Sequence, residues 1–354
     1  MFPRININLD KVMDNVNYLY DELSYLDEVY VVTKVHSAFP PLIKKLYEGN
    51  VRHFADSRIK NLKSIKEMYP DAKTMQLRLP MHDEVDELVQ YADRSLNSEI
   101  STIKLIDEAC TRHQTTHEII LMIDVGDLRE GIMFDSDYIA FVGEILKYKN
   151  INLVGLGLNV TCYGSVIPTR DTLELLLSIK ENIEKEYNIE LPVVSGGNSS
   201  SIYLHFEKEI PKGITNLRIG DTIVSGMETS YSKLLPNMHH DAFILEAQII
   251  ELKEKPSYPI GKLGVNAFGE TVEYVDIGVH QRAIVAIGRQ DVSEDDIIPL
   301  DDNVNILGSS SDHTILEIKP EANYKVGDTI KFKLKYGGIL SLFTSQYVNK
   351  NIIK

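Results

Sequence analysis

The chain predicts a (β/α)8 barrel followed by a mainly-β C-terminal domain, and three observations carry that expectation. Eight short β-rich runs alternate with helical stretches up to about residue 220. After about residue 235 the pattern changes to strand after strand. The residues with the most chemistry fall at or just past the C-terminal ends of the first eight runs, where barrels of this kind keep their active sites.

The eight expected barrel strands are Tyr30–Thr33, His53–Ala55, Thr74–Leu79, Arg94–Asn97, Ile119–Asp124, Asn152–Asn159, Pro192–Ser195 and Leu217–Ile219. Helical spacing fills the intervals. Val12, Val16, Leu19, Tyr20 and Leu23 recur on one face of the first helix, and Leu173, Leu175, Leu176, Ile179 and Ile183 do so over residues 171–187. The second domain is expected to use Phe243–Leu252, Glu273–Ile277, Ala283–Ile287, Val304–Leu307, Thr314–Ile318 and Asp328–Leu334, with helical periodicity nearly absent. The alternation Ile5-Asn6-Ile7-Asn8-Leu9 reads as one more strand that joins this domain. The barrel is therefore expected over residues 1–232, apart from that strand at 1–9, and the β domain over 233–354.

Composition bounds the function. With 354 residues, 43% hydrophobic and 25% charged, the chain suits one large or two ordinary globular domains. No run approaches the ~18 apolar residues of a membrane span, and Met1-Phe2-Pro3-Arg4-Ile5 lacks the apolar core of a signal peptide. Cys110 and Cys162 are too few for a disulfide framework. A cytoplasmic protein is expected. A formal charge of −15 argues against nucleic acid or an anionic membrane as partner. His239-His240 has no spaced acidic or histidine partner and reads as a domain junction, so no metal site is expected.

Two anion-binding runs follow the last two barrel strands. In Val193-Val194-Ser195-Gly196-Gly197-Asn198-Ser199-Ser200-Ser201 a short apolar strand breaks into glycines and hydroxyls, which offer backbone N–H groups and O–H groups to a phosphate. Leu217-Arg218-Ile219-Gly220 adds a cation and a glycine. These are the usual phosphate positions of the fold. Across the mouth, Lys34 follows the first strand in Tyr30-Val31-Val32-Thr33-Lys34-Val35-His36. An amine opposite a phosphate cradle suits a Schiff base to an aldehyde held by its phosphate, and pyridoxal 5'-phosphate is the commonest such ligand. Arg218 reads either as a phosphate ligand or as the partner of the pyridine nitrogen. A guanidinium at that nitrogen keeps it unprotonated and weakens the ring as an electron sink, which suits racemisation better than transamination.

These residues resemble the alanine racemase-like pyridoxal phosphate enzymes, and within them the ornithine racemases. The likeness runs through Phe54-Ala55-Asp56-Ser57-Arg58, Val125-Gly126-Asp127-Leu128-Arg129-Glu130-Gly131, Asn159-Val160-Thr161-Cys162-Tyr163-Gly164, Val194 to Ile202, Leu217 to Gly220 and Ser309-Ser310-Ser311-Asp312-His313. The resemblance implies a racemase that interconverts L- and D-ornithine. It implies a homodimer in which the β domain of one subunit completes the barrel site of the other. It puts the cofactor on Lys34, with Ser195, Asn198, Ser199, Ser200, Arg218, Gly220 and Asn159 around it. Arg129, Ser311 and Asp312 are expected at the substrate.

The departures concern the second catalytic base, because racemisation needs a proton donor and acceptor on both faces of the α-carbon. The family's tyrosine in a Gly-Tyr run has no counterpart in Ile287-Gly288-Arg289-Gln290-Asp291. Ala38 replaces a phosphate-touching tyrosine, and Asn159 stands where a supporting histidine is usual. Arg289 is a poor base. His313, beside Asp312, titrates in the useful range and is the expected second catalytic residue, with Cys162 and Tyr163 as rivals. For the distal ammonium of ornithine, Glu130 and Asp291 are the acidic candidates. A racemase for lysine, alanine or serine is the alternative within the same chemistry. A non-catalytic pyridoxal phosphate carrier is the alternative of another class, and a basic amino-acid decarboxylase predicts a cysteine in the β domain that this chain lacks.

Overall fold

Short parallel strands buried on both faces need a helix on each return, and the chain supplies both in alternation. A computed structural model describes residues 1–271 and 273–354 and divides into two units, Lys11–His240 and Met1–Asp10 with Asp241–Lys354.

In the first unit eight parallel strands run in chain order: Glu28–Val32, His53–Asp56, Lys73–Gln76, Arg94–Asn97, His117–Asp124, Ile151–Gly157, Val193–Ser195 and Asn216–Ile219. The last pairs back onto the first, Arg218 opposite Tyr30, and closes a barrel. All eight expected strands are present. Three end earlier than their apolar patterns suggest: the first at Val32, the third at Gln76 and the sixth at Gly157. At the first, Thr33 turns to φ −99°, ψ −4° and starts a one-turn 3-10 helix, Lys34–His36. Alternate residues point inward, so Tyr30, Val32, Ala55, Met75, Leu96, Ile120, Met122 and Val193 fill the barrel.

Packing around the barrel is close. A Cβ on Gly155 would lie 1.9 Å from the carbonyl oxygen of Val193, so only glycine lets these neighbouring strands approach. Helix Leu9–Glu22 buries Val12, Val16 and Leu19 and also Asn15. The Asn15 amide donates to the carbonyls of Ile223 (2.9 Å) and His239 (3.0 Å) and accepts from the His239 N–H (2.7 Å). Helix Arg170–Tyr187 starts at a Thr169–Thr172 capping box and ends at Asn188 in the left-handed region. No helix among the described residues is long and apolar enough to cross a membrane.

The N-terminal ends of the barrel strands carry an ionic floor. Arg94 bridges Glu28 (2.7 Å) and Glu118 (2.8 Å), Asn216 donates to Glu28 (3.2 Å), and His53 packs against Tyr30. That end is closed by structure, and the opposite end is left for loops.

In the second unit the long strand Phe243–Pro256 is the spine. It pairs antiparallel with Arg4–Asn8, Thr329–Leu334 and Val279–Val285, and the sheet continues through Thr314–Ile318 to Val304–Ser309. Arg4–Asn8 also pairs parallel with Asn349–Ile353. Three expectations are corrected. Residues Glu273–Ile277 are not a strand; the stretch ends in a turn in which the Ile277 N–H donates to the Ser257 hydroxyl (2.8 Å), Asp276 accepts the Gly278 N–H (3.0 Å) and Gly278 has φ +82°. The next strand therefore starts at Val279 and ends before Ile287. Helix Tyr336–Thr344 breaks the expectation that helices are nearly absent here. Gly337 and Gly338 lie in its first turn, where Asp296 packs in the space their side chains would take.

Burial sets an acid limit on the barrel. His117 is enclosed beside the Ser95 hydroxyl (2.8 Å), and burial lowers its pKa from 6.5 to about 4, with the same direction and value for His36. The unfolded chain binds a proton near 6.5 where the folded one stays neutral, so stability falls as pH drops from 6.5 to about 4. The expected loss at His117 is on the order of 3 kcal/mol over the full window. Urea unfolding at neutral and mildly acidic pH checks this, and His117→Gln should shrink the difference between the two curves.

Candidate active site

The C-terminal ends of the barrel strands gather most of the residues singled out above. Lys34 is half-buried and sits in the turn directly after the first strand. Its turn is tight: Ser37 and Ala38 both have left-handed backbone (φ 50° and 48°), and the Ala38 N–H donates back to the Thr33 carbonyl (3.2 Å). Lys34 lies close enough to Asp221 for its charge to act there. Burial raises the Asp221 pKa, and Ser225 and Lys34 pull the other way. Asp221 opens the short helix Asp221–Ser225, so Lys34 lies near the loop and helical turn after the last strand.

That loop and the one before it are joined by Ser199. Its hydroxyl oxygen accepts the N–H groups of Gly220 and Thr222, both at 3.2 Å. Asn198 shapes the preceding turn by accepting the Ser200 N–H (2.7 Å), and its amide donates to Asn159 Oδ1 (2.8 Å) and the Val160 carbonyl (3.1 Å). Gly197 has φ +112° and allows the turn. Gly220 has no side chain for a packing reason, since a Cβ would come within 2.9 Å of Val32. Among the described residues the hydroxyls of Ser200 and Thr222 and the Asn159 Nδ2 are buried without a partner. Orphaned buried donors are rare in folded chains. Three of them around one pair of loops fit an anionic group such as a phosphate. Thr222 was not found from the sequence, because a lone threonine after Gly220-Asp221 carries no motif.

Arg218 is fully enclosed. One guanidinium nitrogen donates to the Leu158 carbonyl (2.7 Å) and another to the Ser195 hydroxyl. Ser195 in turn donates to Asn216 Oδ1, and Asn216 Nδ2 donates to Glu28. A chain of hydrogen bonds therefore runs from the cation near the mouth to a carboxylate on the barrel floor. Ser195 is spent within it. Burial lowers the Arg218 pKa to about 10, with Glu130 and Cys162 opposing and Arg129 assisting that shift. The guanidinium stays charged near neutral pH and has its donors fixed in advance.

Arg129 stands on the loop after the fifth strand. Asp124 shapes that loop by accepting the N–H groups of Gly126 (2.8 Å) and Leu128 (3.2 Å), and Glu130 grips the Arg129 guanidinium through both oxygens. Glu130, weighed for a substrate ammonium, is thus already paired. Arg78 is paired with Glu84 (2.8 Å). Asn97 donates to Ser95, and its Oδ1 is buried and unpartnered.

The rivals for the second base lie on the 160–166 loop. Cys162 and Tyr163 are exposed. Buried Asp127 organises this loop: its oxygens accept the N–H groups of Thr161 (2.9 Å), Tyr163 (3.2 Å) and Val166 (3.3 Å). Cys110 is enclosed in helix Ile100–His113, where burial pushes its thiol up to about 11. No group of three His, Cys, Asp or Glu arranged for a metal occurs among the described residues.

The second unit holds Ser311, Asp312 and His313 in one turn. His313 Nδ1 meets Asp312 Oδ1 at 2.9 Å, and the Ser310 and Ser311 hydroxyls donate to the same oxygen. Desolvation is the largest single influence on Asp312 and raises its pKa, but His313 and the two serine hydroxyls together outweigh it and hold the carboxyl below the usual range. An ionised carboxylate only accepts, so Nδ1 carries the hydrogen and Nε2 is left to exchange a proton. Arg289 is locked between Glu294 and Glu270, which raise its pKa further and disqualify it as a base. Asp291 is buried and takes the Ser345 hydroxyl (2.6 Å).

Removing Asp127 should loosen the loop it anchors. Asp127→Ala leaves three N–H groups without an acceptor, and the expected loss is about 2–4 kcal/mol in chemical unfolding. Asp127→Asn keeps one acceptor oxygen and should lose less.

The alanine racemase, N-terminal domain, family matches residues 7–226. The chain is 45% identical over 355 residues to the ornithine racemase of Acetoanaerobium sticklandii, covering all of both chains. It is 38% identical over 351 residues to the lysine racemase of Thermotoga maritima, covering 99% of this chain and 98% of that one. Among solved structures it resembles an alanine racemase of Clostridium difficile 630 with a TM-score of 0.74 at 15% identity, covering 99% of this chain and 95% of that one. The chain belongs to the alanine racemase family.

Proposed function

We propose that this chain, an amino-acid racemase of the alanine racemase family, interconverts L- and D-ornithine with pyridoxal 5'-phosphate as cofactor. The full-length identity to an ornithine racemase carries the substrate assignment. The residues present fit the cofactor. Ser199, Ser200, Gly220 and Thr222 would hold its phosphate, where two buried hydroxyls have no other partner. Lys34 would bear it and Arg218 would meet the ring nitrogen. When bound, the cofactor supplies an electrophilic carbonyl carbon and an electron-withdrawing ring that acidifies the substrate α-C–H bond.

The protein's own groups do the rest. Arg218 stays charged because its pKa of about 10 lies above neutral pH. A guanidinium only donates, so Arg218 would leave the ring nitrogen of a bound cofactor unprotonated and would restrain the ring as an electron sink, which suits racemisation better than transamination. Arg129, steadied by Glu130, offers its guanidinium to the substrate carboxylate. The Lys34 amine accepts or returns the α-proton on one face. On the other face His313 of the partner subunit is the proposed base, with Asp312 fixing its tautomer and Ser311 completing the turn. This requires a homodimer. Cys162 and Tyr163 are the alternatives on the barrel side.

A second reading, lysine as substrate, is favoured by the 38% full-length identity to a lysine racemase. The two differ by one methylene, a discrimination of only about 1–3 kcal/mol in a pocket.

Incubation of the purified protein with the cofactor in D2O, separately with L-ornithine, L-lysine, L-alanine and L-serine, tests the proposal. Racemisation with α-deuteration fastest on ornithine is the expected result; faster turnover of lysine would replace the substrate assignment. Lys34→Ala should abolish racemisation. His313→Ala is expected to slow it by about 10²–10⁴-fold, and full exchange from both enantiomers by that variant would remove His313 from the mechanism.

A further inference from the structure

We propose that Asp56 and Thr33 form a positioning pair that sets the backbone turn presenting Lys34. The proposal rests on Lys34 being the cofactor-bearing residue.

Thr33 is where the first barrel strand stops. Its N–H still follows the ladder, donating to the Ala55 carbonyl at 2.8 Å. Its ψ has already turned to −4°, and its carbonyl accepts the N–H groups of His36 and Ala38, both at 3.2 Å. Both backbone groups of this one residue therefore define how the chain leaves the barrel wall. Its side chain is also committed. Thr33 Oγ1 donates to Asp56 Oδ2 at 2.6 Å, a length typical of a charge-assisted bond.

Asp56 ends the neighbouring strand and is fully buried, as is Thr33. Burial raises its pKa, but every group that meets its oxygens is a donor: the Thr33 hydroxyl, the Arg58 N–H (2.9 Å) and the Asn61 amide (3.1 Å). These donors pull toward the ionised form, against a burial that still leaves the pKa above its ordinary value. No Lys or Arg among the described residues forms an ion pair with it. A buried carboxylate without a cation is a poor device for stability, since an apolar pair of similar volume avoids the desolvation cost. Its local effect is specific. It fixes the hydroxyl of the residue immediately before Lys34, at the head of a turn that continues through the left-handed Ser37 and Ala38. A β-branched residue has few χ1 choices, so holding Oγ1 also holds the Thr33 backbone, and with it the direction in which the Lys34 side chain leaves.

The consequence is kinetic. A reactive amine displaced by about 1 Å loses on the order of 10²-fold in rate. Thr33→Val keeps shape and β-branching and removes the donor; Asp56→Asn keeps volume and removes the charge; Thr33→Ser restores the hydroxyl. The test measures how fast pyridoxal phosphate added to cofactor-free protein becomes linked to a lysine, an amine–aldehyde condensation that releases water and is trapped by borohydride. Peptide mapping identifies the lysine. Thermal unfolding of each cofactor-free variant is recorded alongside.

Expected are at least ~10-fold slower capture by Thr33→Val and Asp56→Asn, a double variant no slower than the worse single one, and recovery to within about two-fold in Thr33→Ser. In turnover, kcat should fall more than KM rises. If the variants only melt earlier while the folded protein captures cofactor at the wild-type rate, the pair is structural and the proposal is overturned. Mapping of the label to a lysine other than Lys34 overturns the underlying assignment instead, so the two failures are distinguishable.

Discussion

Closure of the barrel is the constraint on which the site depends. The strand Asn216–Ile219 pairs with Glu28–Val32, and without that pairing the turn that holds Lys34 and the loop that holds Gly220 and Thr222 would share no neighbourhood. Parallel pairing of buried strands tolerates little freedom in register, because each inward residue has a defined place in the interior. Tyr30 and Val32 occupy those places on the first strand. Gly220 shows the tightness of the fit: its missing side chain is demanded by Val32, a residue of the first strand. A constraint of packing thus brings the start of the last loop against the strand that ends at the Lys34 turn.

The same closure lets a polar chain cross the barrel. Arg218, Ser195, Asn216 and Glu28 belong to three adjacent strands, and each passes a hydrogen bond to the next. A buried guanidinium without its own carboxylate is expensive. Here the Leu158 carbonyl and the relay to Glu28 satisfy it, while Arg94 balances Glu28 from the other side. The arrangement holds Arg218 rigid and charged with no ion pair of its own among the described residues, which suits a group whose proposed task is to withhold a proton from a ring nitrogen. It also accounts for Ser195, whose hydroxyl is consumed in holding Arg218.

Much of the fold was legible. The eight barrel strands announce themselves as short β-rich runs between helical stretches, and Lys34, Arg218 and the Gly-Ser run are readable because they fall at strand ends. What was not legible depended on partners distant in the chain. Glu273–Ile277 is expected as a strand from the sequence, but Asp276 and Ile277 are tied to Ser257, nineteen and twenty residues back. Helix Tyr336–Thr344 opens on Gly337-Gly338, glycines whose requirement is set by the close approach of Asp296. Thr222 belongs to no motif, and Asp56 and Thr33 stand in separate runs whose spacing does not show that they meet. Their meaning comes from an empty hydrogen-bonding position in one case and a filled one in the other.

By itself the sequence determined the alternation of elements, the change of architecture after the barrel and the residue types at the strand ends, because periodicity and turn chemistry are local properties. The tertiary structure alone decided which of those residues are already committed. Glu130 is paired with Arg129, Asp291 takes up Ser345, Arg289 is locked by two glutamates, and Ser195 is committed beneath Arg218. Ser200, Thr222 and Asn159 keep unpartnered polar atoms. A side chain's availability is the difference between its hydrogen-bonding capacity and its partners. The capacity is written in its identity, but the partners come from strands and loops that only folding brings together.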